Sequence, residues 1–443
     1  MKENKMGTMP VNKLLITMAL PIVISMLIQA LYNVVDSIFV AKINEDALTA
    51  LSLAFPIQNL IIAAATGLGV GINALLSKKL GEKNFDYANK VACNGIIIEL
   101  CAFIIFLIIG IFAVPSFIHT QTDIPRIAEY GIDYLRICCI FSFGVFLQIT
   151  FERLLQSTGK TIYSMITQMS GAIINIILDP IFIFGFSMGV KGAAIATILG
   201  QFVSATLGFI LNKKKNTEIK LSFKDCRLSK DICSKVLAVG IPSTIMASIG
   251  SVMTFCMNKI LMVLSSTAVA VFGIFFKLQS IILMPIFGLN NGMVPIIAYN
   301  YGARKKDRLV KTIKLSVIYA LIIMFFGLAA MQIFPKELLY MFDASDNMIA
   351  IGVTALRTIS LSFIFAGFCI IATSVFQAFG NGLYSMFISI ARQLLVLVPV
   401  AYLFSLTSNV NLVWLSFPIA EIVSVIICTF CLIKIYRQKI KQL

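Results

Sequence analysis

The chain has 443 residues, 59% hydrophobic and only 13% charged, with a mean hydropathy of +0.95. No water-soluble fold hides that much apolar surface, so the surrounding medium is lipid. The net charge of +16, from 36 basic and 20 acidic residues, would suggest a nucleic-acid partner in a soluble protein. Here the basic residues gather in loops that share one side, which is how the positive-inside rule writes membrane topology.

Apolar runs bounded by charged or turn residues predict twelve helices, at 14–41, 48–77, 91–115, 130–157, 161–186, 190–211, 234–264, 268–299, 311–334, 351–379, 383–405 and 410–435. The first run follows Lys2, Lys5 and Lys13, yet it is nearly twice as long as a signal-peptide core and lacks a small-residue cleavage site. It reads as a retained span. With the N-terminus inside, 27 basic residues fall on the cytoplasmic side and 6 outside, setting aside Lys259, Lys277 and Arg392 within apolar runs. The sequence therefore predicts a multi-pass protein of the cell membrane with both termini cytoplasmic, acting as a monomer. Eight of the ten cysteines lie in apolar runs, which implies no disulfide framework. Cys428 and Cys431, spaced as CxxC in an apolar helix of a chain with one histidine, read as packing residues and not as metal ligands.

An offset of 221 residues aligns the two halves of the chain. Pro21 meets Pro242, Phe55 meets Phe276, Gln58 meets Gln279, and Gly67, Gly71 and Gly81 meet Gly288, Gly292 and Gly302. Further on, Gln156, Gly159, Tyr163, Ser164 and Met165 meet Gln377, Gly380, Tyr384, Ser385 and Met386. Six spans per half is an even number, so the halves enter the membrane in one orientation and form a parallel repeat, a transporter architecture. The expected fold is an all-α membrane protein of twelve transmembrane helices in two six-helix lobes. The lobes are 1–211 and 234–443, with a basic cytoplasmic linker at 212–233. The spaced glycines of GLGVGIN, Gly67 to Asn73, follow no strand and read as a close helix contact, not a nucleotide loop.

An ionisable group in hydrocarbon costs at least a few kcal/mol, so each is a functional candidate. Asp36, Glu99, Glu152, Asp179 and Glu421 qualify. Counted from the cytoplasmic ends at about 1.5 Å per residue, Asp36 lies roughly 33 Å along the first helix and Asp179 roughly 27 Å along the fifth. Asn33 and Asn175 each lie about one turn before a carboxylate, and Thr197 reaches a similar depth from the outside. The five are expected to share one site, where a carboxyl pair in low dielectric carries a proton, or its oxygens a Na+. A structural polar cluster bridging helices is the plainer alternative. Asp36 aligns with Met257 and Asp179 with Val400 under the repeat, so coupling is assigned to the N-terminal half. Gln29, Glu99, Lys277, Asn290 and Arg392 are candidate cavity-lining residues. Lys277, Arg392 and Glu421 are also candidates for a buried ion network, and Glu152 reads as an interfacial ion pair with Arg153 at a cytoplasmic helix end. There is no HExxH motif, and the sole histidine, His119, sits at an outer helix end, so no enzyme, cofactor or resident metal is expected.

Three stretches resemble the multidrug and toxic compound extrusion (MATE) family over essentially the whole chain. They are the ALP(x)14D pattern ending at Asp36, FPIQNLIIAAATGLGVGINALLSKKLGEKN after it, and NIILDPIFIFG around Asp179. The segment GLNNGMVPIIAYNYGAR in the second half is similar to the family's eighth span. The resemblance implies two six-helix lobes exporting organic cations in exchange for H+ or Na+, with a cation site at residues matching Asp36, Asn175, Asp179 and Thr197. Some members place an acid on the seventh helix; the corresponding residue here is Gly250, so a second cation site there is not expected. A flippase for lipid-linked or other amphipathic substrates is the alternative, since relatives of the fold move such molecules. It would need a cationic central cavity, for which Lys277 and Arg392 are the candidates.

Overall fold

The computed structural model describes residues 4–221, 227–342 and 344–443, and its described residues form twelve helical spans without strands. They are α1 (Val11–Ala41), α2 (Glu45–Gly81), α3 (Phe85–His119), α4 (Pro125–Ile140 with Phe143–Ser157), α5 (Thr161–Gly185) and α6 (Val190–Lys215) in the first lobe. The second lobe has α7 (Lys230–Leu264), α8 (Ser266–Gly302), α9 (Lys306–Ile333), α10 (Asp346–Ser360 with Phe363–Ala378), α11 (Gly382–Ser405) and α12 (Val410–Ile440). All twelve coincide with the apolar runs. Several begin earlier, because polar first turns continue the helix beyond its apolar stretch. The side chains of Asn44, Asn84 and Ser345 cap α2, α3 and α10 by accepting from the N–H groups of Ala47, Tyr87 and Met348. The connection between lobes is shorter than 212–233, since α6 runs to Lys215 and α7 starts at Lys230; residues 222–226 of it lie outside the described residues.

The repeat is visible in the backbone. Six of the seven described residues with positive φ pair at the 221 offset: Lys83 with Arg304, Ser187 with Ser408, and Gly159 with Gly380, the last two sharing a φ of 80°, while Gly189 has no such match. The breaks in α4 and α10, of 45° and 46°, fall at nearly equivalent places. Such matching of special conformations is independent of apolar bias.

The buried side chains divide into three clusters. One joins both lobes in the half of the molecule nearest the termini, bringing Leu14, Leu68 and Ile72 together with Val236, Leu289 and Ile297. The other two are separate, one in each lobe, towards the far end. Glycines make the shared half possible. Gly67 lies against Thr244 on α7 and Gly71 against the Val236 carbonyl, while Gly288 and Gly292 on α8 receive Val23 and Ala19 of α1. The hydrogen bond from Asn59 to Ser251 (3.4 Å) is the outermost between the lobes among described residues. The lobes are thus joined at the face carrying the termini and have separate cores beyond it.

That face is strapped by the segment just before α1. Asn4 donates to the Thr158 carbonyl (3.0 Å) and to both oxygens of Glu218 (2.7 and 2.8 Å) in the first lobe. From the second lobe, Asn300 and Arg308 donate to the Met6 carbonyl, Lys305 to that of Gly7 and Arg308 also to that of Met9. Against the expectation of no disulfide, Cys93 is disulfide-bonded, whereas Cys428 and Cys431 are free thiols.

Candidate functional site: a carboxyl pair and two cavities

The carboxyl groups of Asp36 on α1 and Asp179 on α5 lie close enough to interact directly. Repulsion and lost hydration both oppose two carboxylate ions at such an approach, and a shared proton or a bound cation would relieve it. Asp179 is fully buried, and one oxygen of Asp36 is buried without a hydrogen-bond partner among described residues. Asn175, one turn before Asp179, is 3% exposed. With its amide nitrogen turned to Asp179 (3.1 Å), its oxygen accepts from the Thr197 hydroxyl and N–H (3.2 and 3.1 Å). The amide therefore ties α5 to α6 beside the carboxyl pair. Just beyond Asp179, Pro180 frees a backbone carbonyl and α5 loosens into a π-turn at Ile181–Gly185.

Of the five residues assigned to this site, four come together and Asn33 does not. Asn33 is exposed on α1, and its carbonyl accepts only from Ser37. Tyr32 takes the place, close to both Asp36 and Asp179. Asn33 lies about 60° round the helix from Asp36 and Tyr32 about 40° on the other side, and α1 presents the Tyr32 side to α5. Tyr32 is missed by the sequence reading although it stands at helical spacing from Asp36.

A cavity of about 240 Å³ inside the first lobe ends at Asn175 and Thr197, with Gln29, Tyr32 and Gln148 among its walls. Gln29 is hydrogen-bonded to Gln168 across it. Glu152 also faces this cavity and is 7% exposed, with Gln148 donating to it (3.0 Å). This corrects the reading of Glu152 as an interfacial ion pair: Arg153, its neighbour, bonds to Gln156 and Asn291 instead. Glu99 is fully buried, lines neither cavity, and both its oxygens lack a hydrogen-bond partner among described residues.

A second cavity of about 490 Å³ lies between the lobes. Phe276, Phe287, Met246 and Met253 give it apolar walls, and Asn290, Arg392 and Glu421 give it polar ones. Arg392 and Glu421 form an ion pair (3.2 Å) between α11 and α12. Lys277 is not part of that network. It is exposed and lies over the Phe342 ring, 5.8 Å from its centroid, because its position on α8 turns it away from the cavity that its neighbour Phe276 lines. Thr66, Arg153 and Asn291 border both cavities.

Twelve membrane helices in two pseudo-symmetric lobes, a chamber between them and a buried carboxyl pair in one lobe define a membrane transporter. The chain belongs to the MatE family, the MATE transporters: the family profile matches residues 21–181 and 242–403, two segments whose starting points are separated by the repeat offset. Among its relatives is the multidrug export protein MepA of Staphylococcus haemolyticus (strain JCSC1435), 28% identical over 94% of this chain and 92% of that protein. MepA of Staphylococcus aureus (strain NCTC 8325 / PS 47) is 25% identical over 93% of this chain and 91% of its own length. Solved structures agree in fold. A multidrug resistance MATE family transporter in its outward-facing conformation superposes with a TM-score of 0.92 at 26% identity, covering 100% of this chain and 99% of that one. A MATE transporter in its bent conformation gives 0.93 at 26% identity, with the same coverage.

Proposed function

We propose that this protein is a secondary active multidrug exporter, moving organic cations and related amphipathic drugs out of the cell in exchange for H+ or Na+ by alternating access. The observation that carries the reading is the contact between the Asp36 and Asp179 carboxyls. A pair whose repulsion a proton or cation relieves is a coupling site, and occupancy there biases the packing of α1 against α5 and hence the equilibrium between states. Asn175 and Thr197 supply the remaining oxygens. The positive-inside count puts the joined face, with both termini, in the cytoplasm. The coupling closes energetically. Exporting a monovalent cation against ~100 mV costs about 2.3 kcal/mol, one entering proton returns the same, and each pH unit adds ~1.4 kcal/mol for accumulation.

The test is ethidium transport by the purified protein in liposomes under an imposed pH or Na+ gradient, for wild type and Asp179→Asn. Gradient-driven transport lost in the variant is the expected result. A variant that couples normally removes Asp179 from the mechanism, and a wild type that neither gradient drives removes the antiport reading.

A further inference from the structure

Arg153 is 7% exposed and borders both cavities, yet no carboxylate holds it. Its two hydrogen bonds to described residues both leave from Nη1, to Gln156 Oε1 and, across the lobe boundary, to Asn291 Oδ1, each 2.9 Å. The nearest acids are Glu152 and Glu99, and neither makes an ion pair with it among described residues. Gly69 on α2 makes room for its stem: a β-carbon there would lie 2.9 Å from Arg153 Cγ. The other guanidinium of the central cavity, Arg392, is neutralised by Glu421.

A buried guanidinium whose partners are two neutral amides is under-satisfied. Among described residues its charge has no ion-pair partner, the Glu152 and Glu99 carboxyls lying near but unbonded to it, and its Nε and Nη2 donors, the parallel pair that matches a planar anion, are unspent. The chamber beside it has the size of a drug site, with aromatic and Met walls at Phe276, Phe287 and Met253. We propose that the Nε–Nη2 edge of Arg153 docks the acidic group of an amphipathic anion, a carboxylate above all, whose aromatic body lies in the central cavity. The protein then exports amphipathic acids as well as cations. This rests on the reading that the central cavity holds the exported molecule.

The experiment uses the full chain in detergent and three fluorescent probes that share one ring system: 1-pyrenebutyrate, 1-pyrenebutanol and 1-pyrenemethylammonium. Fluorescence anisotropy is expected to show the acid binding about tenfold more tightly than the alcohol, as a charge-assisted bidentate contact would give. Arg153→Gln is expected to erase that preference while binding the alcohol as wild type does, which also shows that the variant is folded. Arg153→Lys, with charge but no fork, keeps part of it, and Lys277→Gln, at a cation turned away from the cavity, leaves it intact. Equal binding of acid and alcohol by wild type, a preference that survives Arg153→Gln, or one that vanishes in Lys277→Gln each overturns the proposal. Competition separates two sources of such an anion. Displacement by free 1-naphthoate supports a soluble acid, and displacement by phosphatidylglycerol alone overturns it in favour of a lipid head group. Binding needs no gradient, so a failure here leaves the coupling test untouched, and a failure of coupling leaves this result standing.

Discussion

Gly81 and Gly302, partners across the repeat, each receive the other lobe's backbone: Gly81 lies against the Tyr299 carbonyl and Gly302 against that of Lys78, and Lys78 and Tyr299 are themselves repeat partners. The same reciprocity relates Gly67 against Thr244 to Gly288 against Val23. The join is therefore a pseudo-two-fold seam in which a side chain on either member displaces backbone. Gly302→Val is expected to cost about 1–3 kcal/mol by overpacking, read as a lower melting temperature in heated size-exclusion runs. Gly273→Ala on the same helix, where nothing lies within 4 Å, is expected to leave it unchanged or slightly raised.

Asn175 links Asp179 to Thr197. Asn175→Ala removes a hydrogen bond to a charged or proton-sharing group, about 1.5–3 kcal/mol, and so is expected to lower gradient-driven ethidium flux about tenfold or more. Thr197→Val is expected to do less, because the backbone N–H that also meets the Asn175 oxygen remains. A flux in Asn175→Ala equal to wild type would remove the amide from the coupling site.

The Arg392–Glu421 pair is largely shielded, its side chains 20% and 14% exposed, with one Glu421 oxygen lacking a hydrogen-bond partner among described residues. Removing one member, as in Glu421→Leu, strands a charge and is expected to destabilise by about 3–5 kcal/mol, whereas Arg392→Met with Glu421→Leu recovers most of that loss. Thermal unfolding of the three variants decides. A double variant as unstable as the single one would show that the pair contributes more than its mutual neutralisation.

Glu218 lies outside the spans, and burial pushes its carboxyl above the ordinary carboxylate range, with the Asn4 amide and the Lys160 ammonium pulling it partly back. A raised folded value means the folded protein binds this proton more tightly than the unfolded chain. The contribution is complete below the ordinary carboxylate value and is lost as pH rises through the raised one. Wild type is thus expected to gain melting temperature relative to Glu218→Gln on going from pH about 8 to pH about 4. A difference that is flat, or that grows with pH, would contradict the assignment.

Much of this architecture is legible before any coordinates, for identifiable reasons. Span number follows from length and hydropathy, and the repeat from Pro, Gly and Gln matches that apolar bias does not produce. Asp36, Asp179, Asn175 and Thr197 converge because helical spacing and depth are both arithmetic. What is not legible is roll. Asn33 and Tyr32 satisfy spacing to Asp36 equally well, and only the packing of α1 on α5 selects Tyr32. Glu152 and Arg153 suggest an ion pair by adjacency, yet successive helical residues point about 100° apart, so one faces the first lobe's cavity and the other the seam. Lys277 follows the same rule: Phe276 faces the chamber and its neighbour does not. The bond from Arg153 to Asn291 spans 138 positions and no local pattern announces it.

The strap before α1 carries a consequence for anyone who labels the protein. Among described residues one hydrogen-bonding side chain, Asn4, fastens it to the first lobe, whereas Asn300, Lys305 and Arg308 hold its carbonyls from the second. If the face opens, the weaker fastening yields first, and the leading residues leave with the lobe to which they are not covalently continuous. A fluorophore on Thr8, an exposed residue of the strap, would therefore report the second lobe's motion, and a distance from there to α9 would stay short while one to α5 lengthens.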